Sequence, residues 1–459
     1  MAALAAGGRP ARRPGRLTRR GVGGVALPAG AAVLTALAAC GRGGEGDPGA
    51  APPPAAAPER IVWSTFRGGA ENGRWRQMQI ERFQDRFPRT RVDLQTLKRD
   101  YPKQYTLAAA GSLGDVYAWD PSHWVFQQAI RRGLLRPIDE YLKRDKFDLG
   151  QFYKQFIEIQ RADGRLYGLP SWGWTGQDGF LFNVALFEQA GVPLPDYRSP
   201  QWTRTALYDT VVKLNTYLTA NSGFGLTTTL PGFIGLTILC RAFDSDNLSP
   251  DGKRSLLLEP GAREGMRWVY DLAHKERAVA VPGRFEGDLF LNGKLGLEMA
   301  GSLSVFNRNK QNKDGQLRFR AGLFPKRKDG RRPNWLGGGT WNVGTAAAGA
   351  RSPDAAWELI KLLTDREGVL TINTIGGEGA LVRPDIMSDA YFSDPNFKVY
   401  LENFDAPMPH VVPANSRGVE YERAVLDGGT PWYRGEVGFE DGLRTWSQGI
   451  QQALDLPPE

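Results

Sequence analysis

Beyond residue 58 the apolar positions switch between two periods. Ile61-Val62-Trp63-Ser64-Thr65 is a short β-branched run that predicts a strand. Over residues 74–87, Trp75, Met78, Phe83 and Phe87 fall roughly on one helical face, and Pro88 stops the helix. Val92, Leu94 and Thr96 then alternate as a second strand. Strand, helix and strand within ~35 residues make a βαβ unit, which requires parallel pairing. The pattern continues with a helix running to Ala110, a strand over 115–119, and a helix near 122–132 ended by Gly133. Further on, Leu295, Leu297 and Met299 alternate, as do Trp341 and Val343. Ser352-Pro353 reads as an N-cap followed by a first-turn Pro, opening a helix with Ala356, Ile360 and Leu363 on one face. The class is α/β, with additional C-terminal helices.

A chain of 459 residues suggests about three domains, or two lobes of ~200 residues each, ample for sizeable cores without staples. The two Cys, 40 and 240, are too few for a disulfide framework or a Cys-based zinc site, and Cys240 beside Leu239 reads as an inert core thiol. The three His, at 123, 274 and 410, have no metal spacing; His123 reads as a satisfied surface residue. The net charge of +8 suggests nucleic acid until it is located. Six Arg and no acid lie within residues 1–39, so from Cys40 onward 52 basic residues face 50 acidic ones. A near-neutral body offers no footprint for DNA or RNA.

The basicity is an N-terminal address. Arg12, Arg13, Arg16, Arg19 and Arg20 precede an uncharged Ala-, Gly-, Val- and Leu-rich run from Gly21 to Ala39. It ends in Leu37-Ala38-Ala39-Cys40, small residues and then a thiol. This resembles a bacterial lipoprotein signal (1–39), in which Cys40 is lipidated and becomes the first mature residue. Thr18-Arg19-Arg20 also resembles a twin-arginine export motif. The Gly-, Pro- and Ala-rich stretch that follows makes 40–58 a flexible tether. The expectation is a protein exported and lipid-anchored at the outer face of a bacterial cytoplasmic membrane.

Enzyme signatures are mostly absent from the sequence, although its 50 acidic residues leave paired carboxylates open. It has no phosphate-loop Gly-Lys-Ser/Thr, no dinucleotide turn after the first strand, no His-Glu-x-x-His and no Gly-x-Ser-x-Gly. Gly337-Gly338-Gly339 precedes a strand rather than a helix; its amides could approach a ligand, or it could be a plain turn. No catalytic residue, metal or cofactor is expected.

From about residue 60 to 425 the body resembles the extracellular solute-binding proteins of ABC sugar importers, of the maltose- and glycerol-3-phosphate-binding type. The resemblance rests on several segments in order. These include Ile80-Glu81-Arg82-Phe83 through Phe87-Pro88 to Val92, and Ala108-Ala109-Ala110-Gly111 with Asp115-Val116. They continue with Asp163-Gly164-Arg165-Leu166-Tyr167-Gly168-Leu169-Pro170 and with Phe182-Asn183 through Ala190-Gly191-Val192. Residues 290–301, Leu323-Phe324-Pro325, the triple Gly, 353–364 and Glu367-Gly368 complete it. The sequence departs at Leu303 and near Gly418, where relatives often carry a ligand-stacking Trp.

The resemblance implies a two-lobed periplasmic-binding-protein fold with hinge strands: lobe 1 from 59–176 and 321–364, lobe 2 from 177–320 and 365–459. Hinge crossings are expected near 171–182, 320–325 and 364–368. It further implies a monomer that captures a carbohydrate or polyol by lobe closure and delivers it to the transmembrane subunits and ATPase of an ABC permease. A sugar needs flat aromatics for its C–H faces and polar groups for its hydroxyl rim. The candidates are Trp119 and Asp120, where the third strand leaves the sheet, with Trp172, Trp174 and Asp178 at the hinge. Ser64 and Thr65 at the end of the first strand are added, with Trp335, Gly338, Gly339 and Trp341 around the triple Gly, and Arg417 from the second lobe. The competing readings are a secreted polysaccharide-cleaving enzyme, which would need paired carboxylates, and a chemosensory or adhesion lipoprotein.

Overall fold

The structure is a computed structural model that describes residues 59–458 apart from 66–69, 98–100, 284, 378, 380 and 405–407. The export signal, Cys40 and the tether lie outside the described residues. In chain order the strands are β1 (Glu59–Thr65), β2 (Thr90–Thr96), β3 (Val116–Trp119), β4 (Arg161–Ala162), β5 (Arg165–Leu166) and β6 (Leu169–Thr175). Then come β7 (Gly179–Asn183), β8 (Phe224–Thr227), β9 (Leu295–Ala300), β10 (Phe319–Leu323) and β11 (Leu336–Val343).

Two sheets organise the molecule, ordered β2-β1-β3-β11-β6 and β10-β7-β9-β8, with β4 and β5 as a separate hairpin. β1 pairs in parallel with both β2 and β3, as the βαβ reading requires, and the helix Ala70–Arg86 makes the first crossover. β2 is an edge strand, so its alternation is only half used: Val92 is buried while Leu94 faces outward. β11 returns from the second sheet and inserts antiparallel between β3 and β6.

The core of the first lobe is built from tryptophan. Trp63 meets Trp75 and Trp341 edge-on at 5.8 and 5.4 Å, and Trp172 meets Trp341 at 6.1 Å. Edge-to-face contacts at such distances contribute ~0.5–1.5 kcal/mol each beyond area burial. In the second lobe the helices Gly418–Arg434 and Phe439–Leu454 pack through Trp432 and Trp446, 5.5 Å apart. Cys240 is fully buried, and burial pushes its thiol pKa well up. No helix among the described residues is long and apolar enough to cross a membrane.

The chain crosses from the first sheet to the second between Thr175 and Gly179 and returns between Leu323 and Leu336. It therefore stays in the second sheet through β10, past the break expected after residue 320. A second correction concerns the crossing expected near 364–368. There Asp365 caps the helix Arg366–Thr374, accepting the Gly368 N–H at 2.8 Å, and this helix packs on Ala70–Arg86 of the first lobe. Leu381 still donates to the Gly173 carbonyl of β6 at 3.0 Å. The chain reaches the second lobe over residues 391–401: Tyr391 and Phe392 meet Phe306 of the helix Ser302–Gln311 at 5.4 and 6.0 Å, and in the helix Pro395–Leu401 Asn396 accepts the Ala321 N–H at 2.7 Å. A break between two helices of one lobe resembles a lobe boundary in sequence.

One buried carboxylate joins three segments. Asp115 accepts Val62 N–H at 2.8 Å, Arg351 N–H at 2.6 Å and Ser352 N–H at 2.8 Å. The helix Pro353–Thr364 thus starts where Ser352-Pro353 predicts, but the Ser352 hydroxyl makes no cap bond and the remote carboxylate serves instead. Asp115→Ala would orphan three N–H groups at once. We expect it to lower the unfolding free energy by at least ~2–3 kcal/mol, read as a shifted urea midpoint at unchanged slope.

Candidate functional site

The cleft between the two sheets is built around the end of β6. Trp172 and Trp174 pair across the ladder with Gly339 and Gly337 of β11. A methyl group on either glycine would sit 2.2 Å from the opposite indole, so both rings lie over bare strand. Thr175 ends β6 and exchanges hydrogen bonds with Ser302, the first residue of the helix Ser302–Gln311. Thr175 N–H donates to the Ser302 hydroxyl at 2.9 Å, and Ser302 N–H to the Thr175 hydroxyl at 3.1 Å. Gly301 is pressed so close to the Thr175 carbonyl that a Cβ would lie 1.8 Å from it.

The crossing segments brace each other. Gly176 N–H donates to Trp335 O at 2.7 Å and Phe324 N–H to Asp178 O at 3.2 Å. Gln177 adopts φ 57°, a left-handed conformation uncommon outside glycine, and its amide oxygen accepts the Thr229 hydroxyl from the second lobe. On the other side, β3 delivers Asp120, whose carboxylate accepts Ser122 N–H at 3.0 Å and the Ser122 hydroxyl.

These elements enclose a cavity of about 280 Å³. Asp120, Trp172 and Trp174 line one side, Gln177 the floor, and Leu303, Ser304 and Asn307 the opposite side. Flat apolar rings with a carboxylate beside them thus share one small space with an amide and a hydroxyl from the other lobe. A larger hollow of about 680 Å³ lies on the outer face of the first lobe, among Arg136, Arg144, Glu140 and Asp354. Part of its charge is already paired, Arg144 with Asp354 at 2.8 Å, and it lies in one lobe only. The cleft between the sheets is the better site.

Of the residues expected from the sequence, the structure brings Asp120, Trp172 and Trp174 to this cavity. The others lie elsewhere, each for a packing reason. Trp119 is fully buried between Tyr101 and Tyr105, because alternation along β3 turns it inward while Asp120 leaves the strand. Trp341 belongs to the first-lobe tryptophan core. Trp335 is buried beneath the crossing, edge-on to Phe233 at 5.5 Å and to His410 at 4.3 Å, whose pKa burial lowers to about 3. Gly338 and Gly339 do not line the cavity; they are buried in the β11–β6 ladder, the latter under the Trp172 ring. The Ser64 hydroxyl is committed to Leu113 O at 2.5 Å and Gln95 at 2.6 Å, and Thr65 is buried at the strand end. Arg417 donates to Pro457 O at 3.0 Å, tying the C-terminal segment rather than the cleft.

His123 is a further correction: it is buried, and its Nε2 lies 2.6 Å from Glu422 Oε1 of the second lobe. Gln177, Ser304, Asn307 and Thr229 are not among the residues the sequence points to. The small polar run Gly301-Ser302 after an alternating strand is the one signal for the helix that carries two of them. Among the described residues no group of three or more His, Cys, Asp or Glu could hold a metal.

Residues 79–399 match the family model described as bacterial extracellular solute-binding protein, and the chain belongs to that family, whose members bind solutes outside the cell. Solved structures share the fold. The ABC substrate-binding protein of Listeria monocytogenes in complex with cycloalternan superposes with a TM-score of 0.70 at 17% identity, over 86% of this chain and 98% of that one. A solute-binding protein from Thermotoga lettingae bound with α-D-tagatose gives 0.69 at 19% identity, over 86% and 100%. UgpB from Mycobacterium tuberculosis in complex with glycerophosphocholine gives 0.68 at 20% identity, over 86% and 98%.

Asp178 lies under the crossing rather than in the cavity, fully buried. Its Oδ2 accepts Asn403 Nδ2–H at 3.0 Å, and Oδ1 has no partner. Burial pushes its pKa up to about 7. The folded state therefore holds a proton that the unfolded chain releases near pH 4. Stability from this residue is fully present below that pH and is lost as pH rises through about 7. Asp178→Asn should remove this slope, gaining on the wild type by a few kcal/mol between pH 5 and 8 in paired urea titrations.

Proposed function

We propose that this protein is the substrate-binding component of an ABC importer and that its cargo is a carbohydrate or polyol. The observation that carries the reading is the cavity wall, with two indoles seated on bare strand beside the Asp120 carboxylate, facing the Ser304 and Asn307 side chains across the cleft. Stacked rings suit the C–H faces of a sugar, and the polar groups suit its hydroxyls. The ligands in two of the related structures, cycloalternan and α-D-tagatose, are of the same chemical class. In this reading the lobes divide at the three crossings, close on the ligand as a monomer, and present the closed form to a permease and its ATPase. The chemistry is reversible capture: the single carboxylate lining the cavity, Asp120, already accepts two hydrogen bonds from Ser122.

The test is a thermal-shift screen of the mature domain against sugars and polyols, with amino acids and peptides as controls. A true ligand at 100 times its Kd adds ~2.7 kcal/mol of stability. Melting that responds to a control class and to no sugar or polyol would overturn the reading. For a sugar that binds, Trp174→Ala should weaken affinity by ~5- to 150-fold in calorimetry, while Trp119→Ala should act mainly on stability.

The lipid anchor is part of the same proposal. A single acyl chain binds membranes marginally, so stable attachment needs two or more chains on the mature Cys40. Cys40→Ala should accumulate unprocessed precursor on immunoblots. A variant that is cleaved normally and stays on the membrane would show that attachment does not run through this thiol.

A further inference from the structure

The lobes touch on both sides of the cavity, and the two contacts are built alike. At one end, just past Asp120, the helix Trp124–Arg131 of the first lobe meets the start of Gly418–Arg434 in the second. The Trp124 indole covers Gly418, where a methyl group would fall 1.9 Å from the ring. His123 beside it reaches Glu422 at 2.6 Å and meets Phe233 edge-on at 5.2 Å, and Arg131 donates to Ala414 O at 3.1 Å. At the other end the roles are reversed. Phe306 of the second-lobe helix Ser302–Gln311 covers Gly379 of the first lobe, where a methyl group would lie 2.6 Å from its ring and 3.3 Å from Leu303. Beyond that contact lies a separate hollow between Arg74, Phe306 and Tyr391.

We propose that Trp124 and Phe306 are specificity-determining residues that set the length of the ligand. Each seats on a glycine of the opposite lobe just outside the cavity of about 280 Å³, Trp124 four residues past the lining residue Asp120 and Phe306 on the same glycine as the lining residue Leu303, so the space takes one or two sugar rings and longer chains run into these contacts. The volume lies at the lower edge of the ~300–1,000 Å³ usual for ligand pockets. A third ring would have to lift one large side chain off its glycine, holding the lobes apart and forfeiting the contacts on both sides. Neither ring needs to touch the ligand. The glycines matter as much as the rings, because any side chain at 418 or 379 would hold the lobes open.

This inference rests on the carbohydrate reading, and a length ladder separates the two. Calorimetry would use glucose, maltose, maltotriose and maltotetraose, with the corresponding xylose and mannose series. The wild type should bind a one- or two-ring member at least ~100-fold more tightly than the four-ring member of its series. Trp124→Leu and Phe306→Leu, each folded by circular dichroism, should narrow that gap by at least ~10-fold, mainly by gaining affinity for longer chains. Gly418→Ala should weaken binding of every length, because it obstructs closure rather than opening an end. A wild type that binds the four-ring member as tightly as the two-ring one would overturn the length limit and leave the carbohydrate reading standing. Retention of the wild-type preference in both Leu variants would overturn the limit in the same way. If no member of any series binds the wild type, and the melting screen responds only to another solute class, the carbohydrate reading fails and the length limit falls with it.

Discussion

Two tryptophans on one strand need a neighbour without side chains, and much of this molecule follows from that requirement. Trp172 and Trp174 stand opposite Gly339 and Gly337, and the space a Cβ would take on either glycine is filled by an indole. The rings are thereby fixed against backbone rather than against mobile side chains. Trp172 continues through Trp341 into Trp63 and Trp75, so the cavity wall is the outer face of the lobe's own core. A binding surface ordered before the ligand arrives loses little conformational freedom on binding. The triple glycine, which could be taken for a loop around a ligand, serves this wall from beneath.

The second constraint is at the first two crossings, where two chain segments must pass between lobes with their polar groups satisfied. Thr175 and Ser302 satisfy each other, and Gly176 and Asp178 bond to the returning segment. Below them Arg241, fully buried, pairs with Asp246 at 2.9 Å and donates to Asn334 O at 2.7 Å and Pro409 O at 2.6 Å. A buried guanidinium with these partners ties the returning segment and the 408–410 loop to one helix of the second lobe. The left-handed Gln177 lies in the middle of this bracing, where the surroundings can hold a conformation that the residue alone would avoid.

Closure and site are linked through glycine. The contacts that bring the lobes together place a large ring of one lobe on a bare position of the other, and the hydrogen bonds of His123 and Arg131 hold one of those contacts. Such contacts stabilise the closed form by shape, with few charges committed.

Local patterns along the chain decide a good deal of this protein. The strand–helix–strand opening, the helix stop at Pro88, the helix start at Ser352-Pro353 and the α/β class follow from periodicity and punctuation, which act within a few residues. Asp120 was pointed to by its place where a strand leaves the sheet, and Trp172 and Trp174 by the hinge segment that the family resemblance marks. The inward turn of Trp119 and the core role of Trp341 were not legible, since a tryptophan reads the same whether it faces a ligand or another tryptophan. Nor could a sequence show that Asp115 caps a helix more than 200 residues away, that Gln177 meets Thr229, or that the third crossing comes well after Asp365. Those facts depend on which distant segments meet, and only the packed chain brings them within a few ångströms of one another.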